Sequence, residues 1–167
     1  MVDTILTFLQ GLPAGWATLI IAAIPVIEVR GSVPIAIELF GMKPAEAAWL
    51  SFVGSAVPAV LLPLILAPLE APLRRHSRLC DRVFDWVEVH VGKRYTEGYR
   101  ALGALGLTAF IAVPLPVTGV WTGSLAAWLF KIPKRWAVPA IMVGTAISTA
   151  IVTATTLGFF AVLRRVI

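Results

Sequence analysis

Charge is scarce in this chain. Asp, Glu, Lys and Arg together make up 14% of its 167 residues, against roughly 25% in soluble domains. Cysteine is scarcer still. Cys80 stands alone in the most charged stretch, which excludes an internal disulfide and a cysteine-built metal cluster. The two histidines, His76 and His90, lie in the same stretch without ligand-spaced partners and read as surface residues. The sequence also lacks a phosphate-cradling glycine loop, an HExxH pair, a nucleophile elbow and the paired carboxylates of a soluble active site. Neither ATP hydrolysis nor ordinary hydrolase chemistry has a visible carrier. The reading is of a protein that is not an enzyme and uses no cofactor and no metal.

What the chain has instead is apolar surface. Hydrophobic residues make up 59% of it, and four apolar stretches of about 25 residues fill nearly the whole length, each enough for a membrane segment. No soluble domain is left over. The formal charge of +5 does not point to nucleic acid, because the basic residues gather at segment ends, where they set membrane orientation and meet lipid headgroups. The opening MVDTILTFLQGLPAGW has Asp3 in place of a basic start, so cleavage as a signal peptide is not expected. Residues 2–10 are too short to cross a hydrocarbon core and read as an interfacial helix.

Two apolar runs are broken at their centres. The run 16–40 is interrupted at 25–34 (PVIEVRGSVP) and closed by the turn Gly41-Met-Lys-Pro44. The run 101–130 is interrupted at 114–123 (PLPVTGVWTG) and closed by the basic turn Lys131-Ile-Pro-Lys-Arg135. Each is followed by a long apolar run, 45–69 and 136–163, that reads as a full crossing, the first kinked by Pro58, Pro63 and Pro68. Between the halves, residues 70–100 carry seven Lys or Arg and five acidic residues. Leu79, Val83, Val87, Val91, Tyr95 and Tyr99 recur there every four positions, the stripe of an amphipathic connecting helix.

The halves repeat. Pro25 and Pro114 stand 89 positions apart, as do Pro44 and Pro133, with Gly54 and Gly144 close to the same offset. Halves separated by an odd number of crossings enter the membrane from opposite sides, the inverted-repeat plan of many secondary transporters. The expected fold is therefore a single all-α integral membrane domain over 1–167. Its two repeats, at about 16–69 and 101–163, are each a re-entrant helical hairpin followed by a transmembrane helix, and the connector at 70–100 joins them. Two ordinary kinked spans are the alternative. With re-entrant hairpins, the connector and residues 131–135 share one face with ten Lys and Arg, leaving Lys43, Arg164 and Arg165 on the other. The positive-inside rule then makes the connector cytoplasmic, in a multi-pass protein of the cytoplasmic (inner) membrane.

Glu28 and Arg30 are the most informative charges, because an isolated charge at the membrane centre costs about 2.5–3.5 kcal/mol even on the forgiving insertion scale. They are expected to be paired, hydrated or functional. One reading is a mutual salt bridge, or a tie across the repeat to Thr118 or Thr122, that locks the hairpins. The other is substrate recognition, with Arg30 taking an anionic group and Glu28 a proton or cationic substrate. In an extended tip the two side chains point the same way, whereas on a helix they diverge by about 200°. The flanking Pro25 and Pro34 favour the extended form. The second break supplies hydroxyls from Thr118, Thr122 and Ser124, close backbone approach at Gly119 and Gly123, and the flat surface of Trp121. With Gly31, Pro114 and Pro116 these residues define the expected hairpin backbone and the neutral wall of one site.

At IPVIEVRGSVPIAIELFG and VPLPVTGVWTGSLAAWL the chain resembles the small multidrug export protein family of bacterial and archaeal membrane proteins. That family is in turn distantly similar to the DedA membrane proteins. The resemblance implies two re-entrant hairpins meeting in the bilayer, with Glu28, Arg30, Gly31 and Pro34 in the first and Pro114, Pro116, Thr118, Gly119, Trp121 and Gly123 in the second. DedA proteins usually carry an arginine in the second hairpin; this chain has none there. The implied function is transport of small amphipathic or lipid-like molecules, lipid phosphates among them, driven if at all by an ion gradient. The alternative is a non-transporting scaffold or assembly protein whose buried pair serves the fold. Membrane lipid is the expected surrounding, nucleic acid is not a partner, and the small-residue faces suggest a homodimer.

Overall fold

A computed structural model describes residues 12–25, 27–76, 81–82, 84–86, 89, 97–115 and 118–166. Six helices follow in order: α1 (Ala14–Ala23), α2 (Glu28–Glu38), α3 (Pro44–His76), α4 (Glu97–Ala112), α5 (Val120–Leu129) and α6 (Lys134–Val166). No strand occurs among the described residues. The pattern of two shorter helices and one long helix appears twice, and the long helices α3 and α6 are both 33 residues.

Proline sets the breaks. Ile24, which precedes Pro25, is forced out of the helical region (ψ 132°) and ends α1. Val113 precedes Pro114 just after the end of α4. At about 1.5 Å per residue, α1, α2 and α5 reach roughly 15 Å, half of a hydrocarbon core. The long helices contain stretches, Pro44–Leu66 and Lys134–Leu163, that are apolar and long enough to cross a membrane. Only 33% and 22% of those stretches is buried within the molecule, so most of their Leu, Ile, Val and Phe side chains face outward. That is the distribution of a lipid-facing helix rather than of a soluble core helix, and the protein is an all-helical membrane protein.

The first break is shorter than its prolines suggest. Pro34 lies inside α2, and Glu28 opens that helix rather than standing in an extended tip. The long helix of the first half also runs to His76, beyond the predicted boundary at 69, and α4 starts at Glu97 rather than 101. Pro116, the expected interfacial helix at 2–10 and most of the connector stripe (Leu79, Val83, Val87, Val91 and Tyr95) lie outside the described residues. Where the connector is described, Arg74 bonds Asp85 at 2.8 Å and Phe84 packs edge-on to Trp128 at 5.0 Å, placing its start against the α5–α6 turn.

Glycine lets the helices cross closely, and it does so the same way in both halves. A Cβ on Gly54 would strike the Leu19 carbonyl oxygen and the Ala22 side chain, and one on Gly144 the Thr108 carbonyl oxygen and Ile111. Leu19 and Thr108, like Ala22 and Ile111, stand 89 positions apart. Around these crossings the core is built of small side chains, with Ala59, Ala104, Ala127, Ala137 and Ala140 packed about Ile111, Val120 and Ile141. Small residues bring backbones within reach of each other, which is what helix association in lipid requires. Contacts between the halves run from α3 to α5 and α6 and from α2 to α6. Val29 and Val33 of α2 pack on Val152 of α6.

Candidate functional site

The ends of interrupted helices leave backbone groups unpaired, and in a membrane those groups must be satisfied by protein or an aqueous cavity. Here each half supplies partners for the other. The last carbonyls of α1 are taken by Ser55 of α3, whose hydroxyl donates to the Ala22 oxygen (2.9 Å), and by Trp121 of α5, whose indole N–H donates to the Ala23 oxygen (3.2 Å). The first amides of α5 meet Glu28. Its carboxylate accepts the Trp121 N–H, with Oε1 at 3.3 Å. A negative carboxylate at a helix N-terminus is favoured by both the free amides and the helix dipole.

The approach is close because residue 119 is glycine. A Cβ there would overlap the Glu28 carboxylate group. The Gly119 backbone is extended, at φ 174°, so space and not conformation demands glycine. Conformation matters instead at Glu28, whose φ of +44° is in the left-handed region that a side chain enters at a cost of about 1–3 kcal/mol. The strain turns the chain from Pro25 into α2 and sets the carboxylate on α5.

Arg30, one half-turn further on, reaches the same place. Its Nη2 donates to the Thr118 hydroxyl at 3.0 Å, and its Nη1 lies 4.0 Å from Glu28 Oε2. Its Nε is buried without a hydrogen-bond partner among the described residues. Glu28 and Arg30 thus converge although α2 is helical at both positions, because Glu28's left-handed backbone displaces it from the regular helical direction. Thr118 is the hub of the second break. It donates to the Val113 carbonyl (2.7 Å) and accepts from Leu115 N (3.1 Å) as well as from Arg30.

Five of the expected residues are brought together, and Thr122, Gly123 and Ser124 are not. Glu28, Arg30, Thr118, Gly119 and Trp121 meet at the junction of the halves. Thr122 turns back to its own helix end, accepting the Gly119 amide at 2.9 Å. Gly123 accommodates Ile111, and Ser124 is fully buried with no hydrogen-bond partner among the described residues. One participant was not singled out from the sequence, and one singled-out residue acts through a group that was not. Ser55 shows no signal beyond its place beside the crossing glycine Gly54, and the Trp121 indole N–H is legible only once its acceptor, Ala23, is located. No group of acidic, histidine and cysteine side chains suited to a metal occurs among the described residues.

An all-helical membrane protein with a buried acid beside a partly buried arginine, where interrupted helices meet, is the class that fold and site define. Residues 28–151 match the family model described as putative small multi-drug export protein. The match covers more than half of the chain, and the chain belongs to this family. No curated protein and no solved structure gives a match.

Proposed function

We propose that this protein exports small amphipathic or lipid-like molecules across the cytoplasmic membrane, with Glu28 as its proton-responsive group and Arg30 as the contact for a polar or anionic part of the substrate. The observation that carries the proposal is the incomplete pairing of Arg30. Its side chain is 16% exposed, its Nε has no partner among the described residues, and its nearest carboxylate is 4.0 Å away. A guanidinium bears five donors in a rigid fork, and a buried ionisable group in a membrane segment marks a substrate or ion pathway by default.

Glu28 links that site to the arrangement of the halves. As a carboxylate it holds the α5 amides through charge-assisted hydrogen bonds, which weaken when the acceptor is neutral. Proton arrival would loosen the first half's hold on α5 and leave Arg30 without its counter-charge, coupling an ion gradient to movement and substrate release. In this reading α1 with α2 and α4 with α5 are re-entrant hairpins entering from opposite faces, as in the DedA plan, and α3 and α6 are the spans. The half-membrane length of α1 and the matching glycine crossings at Gly54 and Gly144 support it. The contact of Phe84 with Trp128 supports a connector on the same face as residues 131–135, which the charge distribution makes cytoplasmic.

Flux in proteoliposomes tests the proposal. Cationic dyes and lipid phosphates are offered with and without a pH gradient to the wild type and to Glu28→Gln. Transport by the wild type that loses its pH dependence in the variant is the expected result; unchanged pH dependence removes Glu28 from that role. The second reading is a non-transporting scaffold, favoured by the hydrogen bonds that tie Glu28 to Trp121 and Arg30 to Thr118. Absence of flux for every probe, in protein that stays folded, leaves that reading standing.

A further inference from the structure

Both tryptophans of α5 are held from outside their own half. Trp121 and Trp128 stand seven positions apart, about two turns and roughly 10 Å, so their side chains leave the same side of the helix. The Trp121 indole is bound to the Ala23 carbonyl at 3.2 Å. Trp128 meets Phe84 of the connector in a T-shaped contact, with ring centroids 5.0 Å apart. α5 also packs more extensively on α3 of the first half than on α4 or α6 of its own. It is a continuous helix of 10 residues without proline, so a shift at one end is carried to the other.

Phe84 is in turn fixed by charge. The Arg74 guanidinium, near the end of α3, lies 5.1 Å from the centre of the Phe84 ring, and its Nη1 bonds Asp85 at 2.8 Å and Asp81 at 3.4 Å. Phe84 is buried, whereas the Asp81 and Asp85 side chains are 52% and 63% exposed. Salt screens ion pairs between exposed groups and leaves buried contacts almost untouched. Of the contacts that lead from the aspartates through Arg74 and Phe84 to Trp128, the ion pairs are therefore the ones that salt weakens.

We infer that Arg74 and Phe84 form a salt-sensitive latch on α5, which holds the helix at its far end and so keeps the Trp121 amide on Glu28. With the latch closed, α5 is fixed at both ends. When the ion pairs are screened, the end that carries Trp128 is freed and the Glu28 contact loosens with it. The latch acts on the junction itself and stands whether or not the protein transports. Through it, ionic strength on the connector's side of the membrane controls how firmly the two halves are joined.

Hydrogen exchange of the purified full chain in detergent, followed by mass spectrometry, tests this. Amides at a helix N-terminus have no helical acceptor, so protection at 119–122 reports the partners supplied from elsewhere, the Glu28 carboxylate among them. In Phe84→Leu, which removes the ring contact, exchange at 119–122 is expected to rise by about two- to tenfold, the range of an aromatic pair. Residues 47–54 of α3 keep the wild-type rate. Arg74→Gln gives a rise of about two- to fivefold, in line with exposed ion pairs, and serves if Phe84→Leu fails to fold. Raising salt from about 0.1 M to about 1 M shortens the screening length from about 10 Å to about 3 Å; it produces a similar rise in the wild type and none in Arg74→Gln. An unchanged rate at 119–122 in either folded variant overturns the inference, as does an equal rise at 47–54, which would mean general loosening. A wild type that does not respond to salt overturns it as well, and so does a salt response that persists in Arg74→Gln.

Discussion

Glu28 and Trp121 are 93 positions apart in sequence, and the carboxylate of the first accepts the backbone N–H of the second at 3.3 Å. An acid from the first half therefore caps a helix of the second, while the Trp121 indole caps α1 of the first by donating to Ala23. The two exchanges are reciprocal. One end of α1 and one end of α5 are thus closed in part from the other half, beside caps such as Ser55 on Ala22 that come from the same half.

Glycine at 119 is the condition for this contact. Gly119→Ala places a methyl group inside the Glu28 carboxylate, and overpacking of this kind costs about 1–3 kcal/mol. Thermal unfolding in detergent should show that loss. Adding Glu28→Ala should recover part of it, and a double-mutant cycle with no coupling between the two sites would show that they do not touch.

Glu28 itself separates into a hydrogen-bonding part and a charge. Glu28→Gln keeps an oxygen to accept the Trp121 amide and loses the attraction to Arg30 and to the α5 dipole, for an expected loss of about 1 kcal/mol. Glu28→Ala removes both parts and leaves the α5 amides unpaired, costing about 1–3 kcal/mol more. Equal stability of the two variants in chemical unfolding would mean that the carboxylate is not the cap.

Thr118 carries three bonds on one hydroxyl, to Arg30, Leu115 and Val113. Thr118→Ser should be tolerated within about 1 kcal/mol, and Thr118→Val, of similar shape, should cost about 1–3 kcal/mol by stranding buried donors and an acceptor. If the valine variant were as stable as the serine one, the methyl group and not the hydroxyl would be what the fold needs.

The glycine crossings give a test of the repeat. Gly54→Ala and Gly144→Ala each drive a methyl group against a carbonyl oxygen of the adjoining helix, so both should destabilise by a similar amount, about 1–3 kcal/mol. Gly106, around which a Cβ would meet nothing, is the control: Gly106→Ala should be neutral or gain up to about 1 kcal/mol through helix propensity. Loss at one crossing only would argue against equivalent packing in the two halves.

Much of this architecture is legible in the residues themselves. Prolines at 25 and 114 remove backbone donors and restrict the residue before them, so the helices must stop there whatever surrounds them. The apolar runs after Pro44 and Pro133 are long enough to be helices that lipid accepts, and α3 and α6 follow them. Glu28 and Arg30 stand out because charge is costly in such a chain. These are local or compositional constraints, fixed by each segment and its solvent.

What the tertiary structure decided is where the unpaired groups find partners. Pro34 sits within α2, although a proline there reads as the edge of a break, because in apolar surroundings a continued helix still satisfies more backbone than an open strand. The left-handed turn at Glu28, the acceptance of the Trp121 amide by its carboxylate and the use of Ser55 and the Trp121 indole as caps all depend on residues brought together across the molecule. Sequence determined which segments would enter the membrane and which groups they would leave unsatisfied. Only packing decided that each half would in part satisfy the other, since a hydrogen bond is set by distance and direction in space and not by spacing along the chain.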